Sequence, residues 1–272
     1  MQKPLFIARL TFQEAVRAKF FNLLLFMALA LVLLAGFFQN FDFGGSALKF
    51  IVDFGFAAVV MTGSILTLVM TAQGFYHEIE NRTAATILSR PVHRWQYLLG
   101  KLMGIQALLL VFCALTGCIL AGLLGWEERL YILDDPEAGG ANPVKQTEVF
   151  LFMGIQWLKF SVLSALTLCI TCLSQSSLYA MFVSFLALVA CQLQYLAAEM
   201  YADAESRAGQ AFAWFLDKAV PNFQLYNLGD QLVLATESPL PDGTIGGILL
   251  YSVVWYGVFL GLAVMFFSNR EV

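Results

Sequence analysis

Charged residues are scarce in this chain. Asp, Glu, Lys and Arg make up 12% of its 272 residues, against about a quarter in soluble domains. Hydrophobic residues make up 60%, and 25 of them are phenylalanine. A soluble fold of this size would have to hide more apolar surface than one core can bury. The composition therefore excludes an ordinary soluble domain and predicts a protein that lies in a lipid bilayer.

Six apolar runs reach the length of about 20 residues that a transmembrane helix needs. They cover Phe20–Phe38, Phe54–Ala72, Leu102–Gly125, Val149–Cys172, Leu178–Ala198 and Ile245–Phe267. A membrane barrel would instead show alternating segments of about ten residues. Because lipid offers no water to unpaired backbone groups, these runs must be helices. The sequence predicts an all-α integral membrane protein with six transmembrane helices, forming a single domain over residues 1–272.

The basic residues are distributed unevenly between the two sides of the membrane. With the N-terminus inside, nine Lys and Arg residues lie in inner segments, five lie in outer segments, and Lys159 lies within a span. An excess of Lys and Arg marks the cytoplasmic side. The count predicts that both termini are cytoplasmic and that the loops 126–148 and 199–244 are extracytoplasmic.

Residues 1–19 are predicted to form a cytoplasmic amphipathic helix along the membrane surface. One helical face holds the apolar residues Leu5, Ala8, Phe12 and Val16, and another holds the polar residues Arg9, Gln13 and Arg17. Thr11 and Glu14 have the spacing of a capping box, so an alternative is a helix that begins at Thr11.

The segment 73–101 is a polar island between the second and third spans, and it holds both histidines of the chain, His77 and His93. Thr83 is a candidate N-cap for about two helical turns over Thr83–Ser89. Pro91 favours a break before a second helix that begins at Val92 and leads into the third span. The pattern predicts a short cytoplasmic helix that presents a surface between spans two and three.

The segment 199–244 has two apolar-periodic pieces, Ser206–Ala219 and Phe223–Ala235, separated by Pro221 and Asn222. Each piece is too short and too charged to span a membrane. Extracytoplasmic helices are predicted here, and either a gate or a purely structural lid fits the pattern. The loop 126–148 contains turn-forming residues and is predicted to be an exposed connector.

Two further features lie within the predicted spans. Cys169 and Cys172 have C-x-x-C spacing but no second pair, so helix packing is favoured over a metal or redox site. Lys159 is costly within a span, by about 2.5–3.5 kcal/mol. Such a residue usually faces a cavity, a partner or the interface. Both a place on a translocation path and a side chain that reaches the outer interface are open for Lys159.

Two glycine pairs, Gly100/Gly104 and Gly257/Gly261, have the G-x-x-x-G spacing that lets helices approach closely. A seam between two subunits is one expectation for them.

The residues from Glu78 to Lys101 read E-x-E-N-R-T-x-x-x-I-L-S-R-P-V-x-R-x-x-x-L-L-G-K. This pattern closely resembles the cytoplasmic loop of ABC-2 type transporter permeases, in which many members have a glycine before the threonine and a serine at the position of His93. The N-terminal A-R-L-T-F-Q-E-A-V-R-A-K-F-F is also similar to the entry helix of that family.

The resemblance implies an export permease subunit of an ABC transporter in the inner (plasma) membrane. Two permease subunits, identical or different, would pair and bind cytoplasmic ATPase subunits through a coupling helix. The residues expected to dock the ATPase are Glu78, Glu80, Arg82, Thr83, Leu88, Ser89, Arg90, Pro91 and Arg94.

Several chemical motifs are missing from the sequence. It has no G-x-x-x-x-G-K-[ST] phosphate loop, so ATP hydrolysis is expected on a separate subunit. Beyond the lipid bilayer and the protein subunits, neither a cofactor nor a nucleic-acid partner is predicted. An intramembrane enzyme is an alternative, but both histidines lie in the loop, so Ser64 has no histidine base within the spans, and no H-E-x-x-H motif or paired intramembrane carboxylates are present for metal hydrolysis. An ion-coupled secondary transporter is another, although its midplane ionisable groups would be reduced to Lys159.

Overall fold

A computed structural model describes residues 2–38, 47–80, 93–134, 146–202, 209–210, 214, 218–229 and 243–268. Every regular element in these ranges is helical, which confirms the all-α class. The long helices are α1 (Gln2–Arg17), α2 (Lys19–Phe38), α3 (Ala47–Glu80), α4 (Arg94–Asp134), α5 (Gln146–Leu173), α6 (Ser177–Ala202) and α7 (Thr244–Ser268). One turn of 3₁₀ helix covers Phe223–Tyr226.

Helices α2 to α7 are each long and apolar enough to cross a membrane, as predicted. Helix α3 has 34 residues and α4 has 41. At 1.5 Å per residue their lengths are about 51 and 62 Å, well beyond the hydrocarbon thickness of about 30 Å. Helix α4 continues through Asp134, and α5 begins at Gln146, so the connector predicted over 126–148 is helical at both ends.

Helices α3 and α5 form the centre of the bundle. In each, 67% of the residues in the apolar window are buried within the chain, against 28% for α2 and 22% for α6 and α7. Helix α5 contacts α3, α4, α6 and α7. The poorly buried helices have large exposed apolar side chains, as expected where lipid is the solvent.

Helix α1 packs against the start of α4 through the glycine pair Gly100 and Gly104. A Cβ atom at Gly100 would lie 2.7 Å from the Pro4 carbonyl oxygen, and one at Gly104 would lie 2.6 Å from the Ala8 carbonyl oxygen. Their partner is therefore a helix of the same chain, and the expectation of a seam between subunits is not met at this pair. Apart from the neighbouring backbone of α7, no atom of the described residues lies within 4 Å of a Cβ at Gly257 or Gly261.

The buried face of α1 consists of Ile7, Thr11 and Ala15. Leu5, which the sequence placed on the apolar face, is 57% exposed. The difference arises because the α4 glycines accept backbone and small side chains, so the contact centres on the residues that approach them most closely. The helix is continuous from Gln2 to Arg17, so the alternative start at Thr11 is wrong.

We expect Gly104→Ala to push α1 away from α4. The new methyl group would meet a backbone oxygen and the Thr11 Cβ, neither of which can move without shifting the helix. Overpacking of this kind costs about 1–3 kcal/mol. The melting midpoint of the purified protein measures the effect, and Gly261→Ala is the matched control because its Cβ enters open space. Equal midpoints for the two variants would contradict this packing.

Candidate functional site

One end of the bundle collects the last turns of α3, α5 and α7 and the first turns of α4. Tyr76, near the end of α3, donates from its hydroxyl to the carbonyl oxygen of Ser174 at 2.6 Å, just beyond α5. The Phe75 and Tyr97 rings both pack on the Phe267 ring of α7, with centroids 5.8 and 5.9 Å apart. The two helices that flank the polar island are therefore held to α5 and α7.

Lys101 ties α3 to α4 at this end. Its side chain is fully buried, and its Nζ donates to the Gly74 carbonyl oxygen at 2.7 Å. The same atom lies 5.6 Å from the Phe75 ring centroid and 5.7 Å from that of Tyr97. Both rings offer their electron-rich faces to the ammonium group. Sequence reasoning counted Lys101 only as an inner basic residue, and its place at the end of the L-L-G-K motif was the available signal.

Arg94 begins α4 and holds the C-terminus of α7. Its Nη1 donates to the carbonyl oxygens of Phe267 and Ser268 at 2.7 and 3.0 Å, and its guanidinium lies 5.7 Å from the Phe267 ring centroid. The last carbonyls of a helix lack intrahelical partners, and the helix dipole favours a cation beside them. Arg94, expected to dock a partner, thus already has a structural contact in this chain.

The other expected docking residues are described only in part. Glu78 and Glu80 lie in the last turn of α3, and the structure describes their backbone alone. Outside the described residues lie Arg82, Thr83, Leu88, Ser89, Arg90 and Pro91, and with them the predicted helix Thr83–Ser89. His93 is exposed where the described chain resumes.

We expect Arg94→Gln to loosen the end of α7. Loss of a cation at a helix C-terminus costs about 1 kcal/mol, so the melting midpoint should fall slightly. Arg129→Gln, which replaces an exposed arginine near the other end of α4, is the control. An unchanged midpoint for Arg94→Gln would show that the contact with α7 contributes little.

At the opposite end of the bundle, a turn between α6 and α7 inserts among the helices. Asn222 caps the 3₁₀ turn Phe223–Tyr226, and its Oδ1 accepts from the Gln224 backbone N–H at 2.9 Å. The break predicted at Pro221 and Asn222 is therefore present. Phe223 and Tyr226 are both fully buried. Of the two predicted helical pieces, the remaining parts lie mostly outside the described residues.

Hydrogen bonds from α5 and α7 hold this inserted turn. The Gln156 Nε2 donates to the Tyr226 carbonyl oxygen at 2.8 Å. The Tyr226 and Ser252 hydroxyls are 2.8 Å apart, and the Asn222 N–H donates to the Tyr251 hydroxyl at 2.7 Å. Burial raises the pKa of Tyr226 to about 12, so its hydroxyl keeps its proton at neutral pH.

The inserted turn reaches well below the end of the bundle. Gln156 lies ten residues into α5 and Ser252 lies eight residues into α7, which correspond to about 15 and 12 Å along the helix axes. Gly229 follows the turn and packs on Phe56 of α3, where a Cβ would come within 2.8 Å of the ring. The turn itself therefore contacts α5, α6 and α7, and Gly229 just after it contacts α3.

Lys159 lies beside the inserted turn. Its side chain is 3% exposed, and its Nζ is 5.9 Å from the Phe223 ring centroid. On the preceding turn of α5, the Gln156 Oε1 is buried and has no hydrogen-bond partner in the described part of the chain. Lys159 is at the middle of α5, and its side chain is buried within the bundle.

Residue Gln106 joins α4 to α5 through a polar network that sequence reasoning missed. Its Nε2 donates to the Ser164 Oγ at 2.6 Å, and its Oε1 accepts from the Ser161 Oγ at 2.6 Å. The Trp157 Nε1 donates to the Gln106 carbonyl oxygen at 3.1 Å. Hydrogen-bonded networks of this kind fix the register of neighbouring helices in an apolar environment.

The side chains of Cys169 and Cys172 are buried in α5, which fits the packing role predicted for them. In the described ranges, no three His, Cys, Asp or Glu side chains are grouped so that they could hold a metal ion.

A known protein family matches most of the chain. Residues 38–267 match the model of a family described as ABC-2 family transporter protein. The match spans 230 of the 272 residues (267 − 38 + 1) and includes the polar island, the inserted turn, helices α3 to α6 and all of α7 but its last residue. No curated protein sequence matches the chain. Because the family match covers most of a helical, multi-pass membrane protein, the chain belongs to the ABC-2 transporter family and is a transmembrane permease of an ABC transporter.

Proposed function

We propose that this permease is the membrane subunit of an ATP-driven exporter and that a separate cytoplasmic ATPase docks on the loop 73–101. The permease works as a pair with a second permease subunit. In this proposal both termini lie in the cytoplasm and the protein lies in the inner (plasma) membrane. The alternatives of a secondary transporter and an intramembrane enzyme have no comparable support from the family match.

The observation that carries the proposal is the attachment of both loop ends to the bundle. Lys101 joins α4 to α3 through Gly74, and Arg94 joins α4 to the end of α7. A partner that presses on the loop would therefore move three spans together. A loop that only reversed the chain direction would have no need of these contacts.

Helix α7 offers a route from the docking loop to the inserted turn. Arg94 holds it at Phe267 and Ser268, while Ser252 contacts Tyr226 of the turn. These two contact points are about 16 residues apart, or about 24 Å along a helix. We infer that a shift of α7 releases the turn, which then acts as an extracytoplasmic gate. Withdrawal of Phe223 would expose Lys159 to the translocation path.

The proposal is tested by purifying the tagged permease gently from its native membrane and measuring ATP hydrolysis in the eluate. We expect wild-type permease to retain an ATPase and Arg90→Glu to lose most of it, since reversal of a rim charge turns attraction into repulsion. Arg129→Glu is the matched control because it reverses an exposed arginine near the opposite end of α4. Equal retention by Arg90→Glu and Arg129→Glu, or no ATPase with the wild type, would contradict the proposal.

A further inference from the structure

A cavity of about 470 Å³ lies at the elbow between α1 and α2. The elbow is the junction at Ala18, where α1 ends at Arg17 and α2 begins at Lys19, and Ala18 itself lines the cavity. Small residues leave the space open. A Cβ at Gly74, on the wall formed by α3, would meet only the Lys101 Cε, at 3.9 Å. The volume is within the range of about 300–1,000 Å³ that is typical of small-molecule sites.

The rim and the floor of this elbow cavity differ in chemistry. Glu14, Arg17 and Gln73 lie at the rim, whereas Met70 and Ile105 contribute apolar surface. Glu14 and Arg17 are three residues apart on α1, and the described residues show no ion pair for either of them. The α1 side of the rim therefore offers both a carboxylate and a guanidinium, which are exposed, and the buried lining residues Met70 and Ile105 are apolar.

The cavity lies where the chain enters the membrane. The first spanning window begins at Lys19, directly after the elbow. Leu5, Phe6 and Leu10 of α1 are exposed, as expected for a helix whose outer side contacts lipid. Any molecule that enters the cavity from the surface of the bundle therefore arrives from the boundary between head groups and acyl chains.

We propose that the elbow cavity binds the phosphoethanolamine head group of a zwitterionic phospholipid. Arg17 pairs with the phosphate through charge-assisted hydrogen bonds, and Glu14 accepts from the ammonium group. The Gln73 amide donates to a phosphate oxygen, and the first carbons of the lipid lie against Met70 and Ile105. The bound lipid braces α1 against α3 and α4. This assignment requires only the membrane location of the chain and is independent of ATPase docking.

The test measures lipid bound to the purified, delipidated permease by native mass spectrometry. Phosphatidylethanolamine and phosphatidylglycerol are added at equal concentrations, with glycerophosphoethanolamine as the soluble head group. We expect wild-type protein to retain one phosphatidylethanolamine per chain in preference to phosphatidylglycerol. Arg17→Gln should weaken retention about tenfold, because it removes the cation that pairs with the phosphate. Glu14→Gln should abolish the preference between the two lipids.

Arg9→Gln is the matched control, because Arg9 is exposed on the same helix and does not line the cavity. The proposal is overturned if wild-type protein binds both lipids equally or if Arg9→Gln loses as much lipid as Arg17→Gln. Competition by glycerophosphoethanolamine at the same concentration as the lipid would also overturn it, since the ligand would then be a soluble phosphoester. The wild-type and variant melting midpoints without lipid should agree, which separates loss of binding from loss of fold.

Discussion

Tyr226→Ala should release the inserted turn from the bundle. The substitution removes a fully buried aromatic side chain and its hydrogen bond to Ser252. Truncation of a buried aromatic residue to alanine costs about 3–5 kcal/mol, more than the remaining hydrogen bonds with Gln156 and Tyr251 are expected to offset. We therefore expect a large fall in the melting midpoint and water access to the space that Phe223 and Tyr226 fill.

Water access is measured with a membrane-impermeant thiol reagent on a cysteine placed at Ile248. That residue is 5% exposed and lies one turn before Ser252 on α7. The cysteine should be protected in the otherwise wild-type protein and reactive in the Tyr226→Ala background. Leu225→Ala is the control, because Leu225 belongs to the same turn but is 43% exposed. If Leu225→Ala opens the space as much as Tyr226→Ala does, burial of the tyrosine is not what holds the turn.

Lys101→Ala should have the second large effect. The lysine is fully buried, and its ammonium group contacts the Gly74 carbonyl and two aromatic rings. Loss of a long buried side chain leaves a cavity and costs about 2–5 kcal/mol. The melting midpoint measures this cost, and Lys49→Ala, which truncates an exposed lysine of α3, is expected to change it little.

A second substitution at the same position separates stability from coupling. Lys101→Met refills most of the volume without the charge, so it should recover much of the stability lost in Lys101→Ala. It cannot donate to Gly74, so the joint between α3 and α4 is weaker. We expect the rate of ATP hydrolysis to change less when the ATPase binds this variant than when it binds the wild-type permease. An equal change in the rate of ATP hydrolysis for Lys101→Met and wild type would contradict the role of Lys101 in joining the two ends of the docking loop.

The spans and the fold class were predictable because lipid imposes one requirement on each run. A run must form an apolar helix of about 20 residues, because its backbone groups can form hydrogen bonds only within the run. The six predicted runs all lie within observed helices. The helix ends were less predictable, since α3 and α4 continue beyond the membrane into polar residues. Nothing in the apolar pattern marks where a helix stops once it has left the lipid.

Side-chain partners were harder to predict than elements. The spacing of Gly100 and Gly104 indicates close approach but does not say which helix approaches, and α1 takes the place expected for another subunit. Pro221 and Asn222 indicated a break, yet the insertion of the following turn depends on Gln156 and Ser252 from distant spans. Long-range contacts of this kind leave no local signal in the chain.

Lys159 and Arg94 also have partners that the sequence does not reveal. The cost of a charge within a span indicated that Lys159 would face a cavity, a partner or the interface, and its side chain is buried within the bundle. The neighbouring Phe223 comes from a segment 64 residues away (223 − 159), which no spacing rule connects to it. Arg94 belongs to the motif that resembles a docking loop, but its contact with the end of α7 is visible only in three dimensions.

The most direct test of ATPase docking is photo-crosslinking from the loop in intact native membranes. A photoreactive amino acid replaces Leu88 in one variant and Trp126, which is 65% exposed near the far end of α4, in the other. We predict that position 88 forms an adduct with a cytoplasmic ATP-binding protein and that position 126 does not. An adduct of equal yield at position 126, or none at position 88 while the permease is intact in the membrane, would contradict docking through this loop.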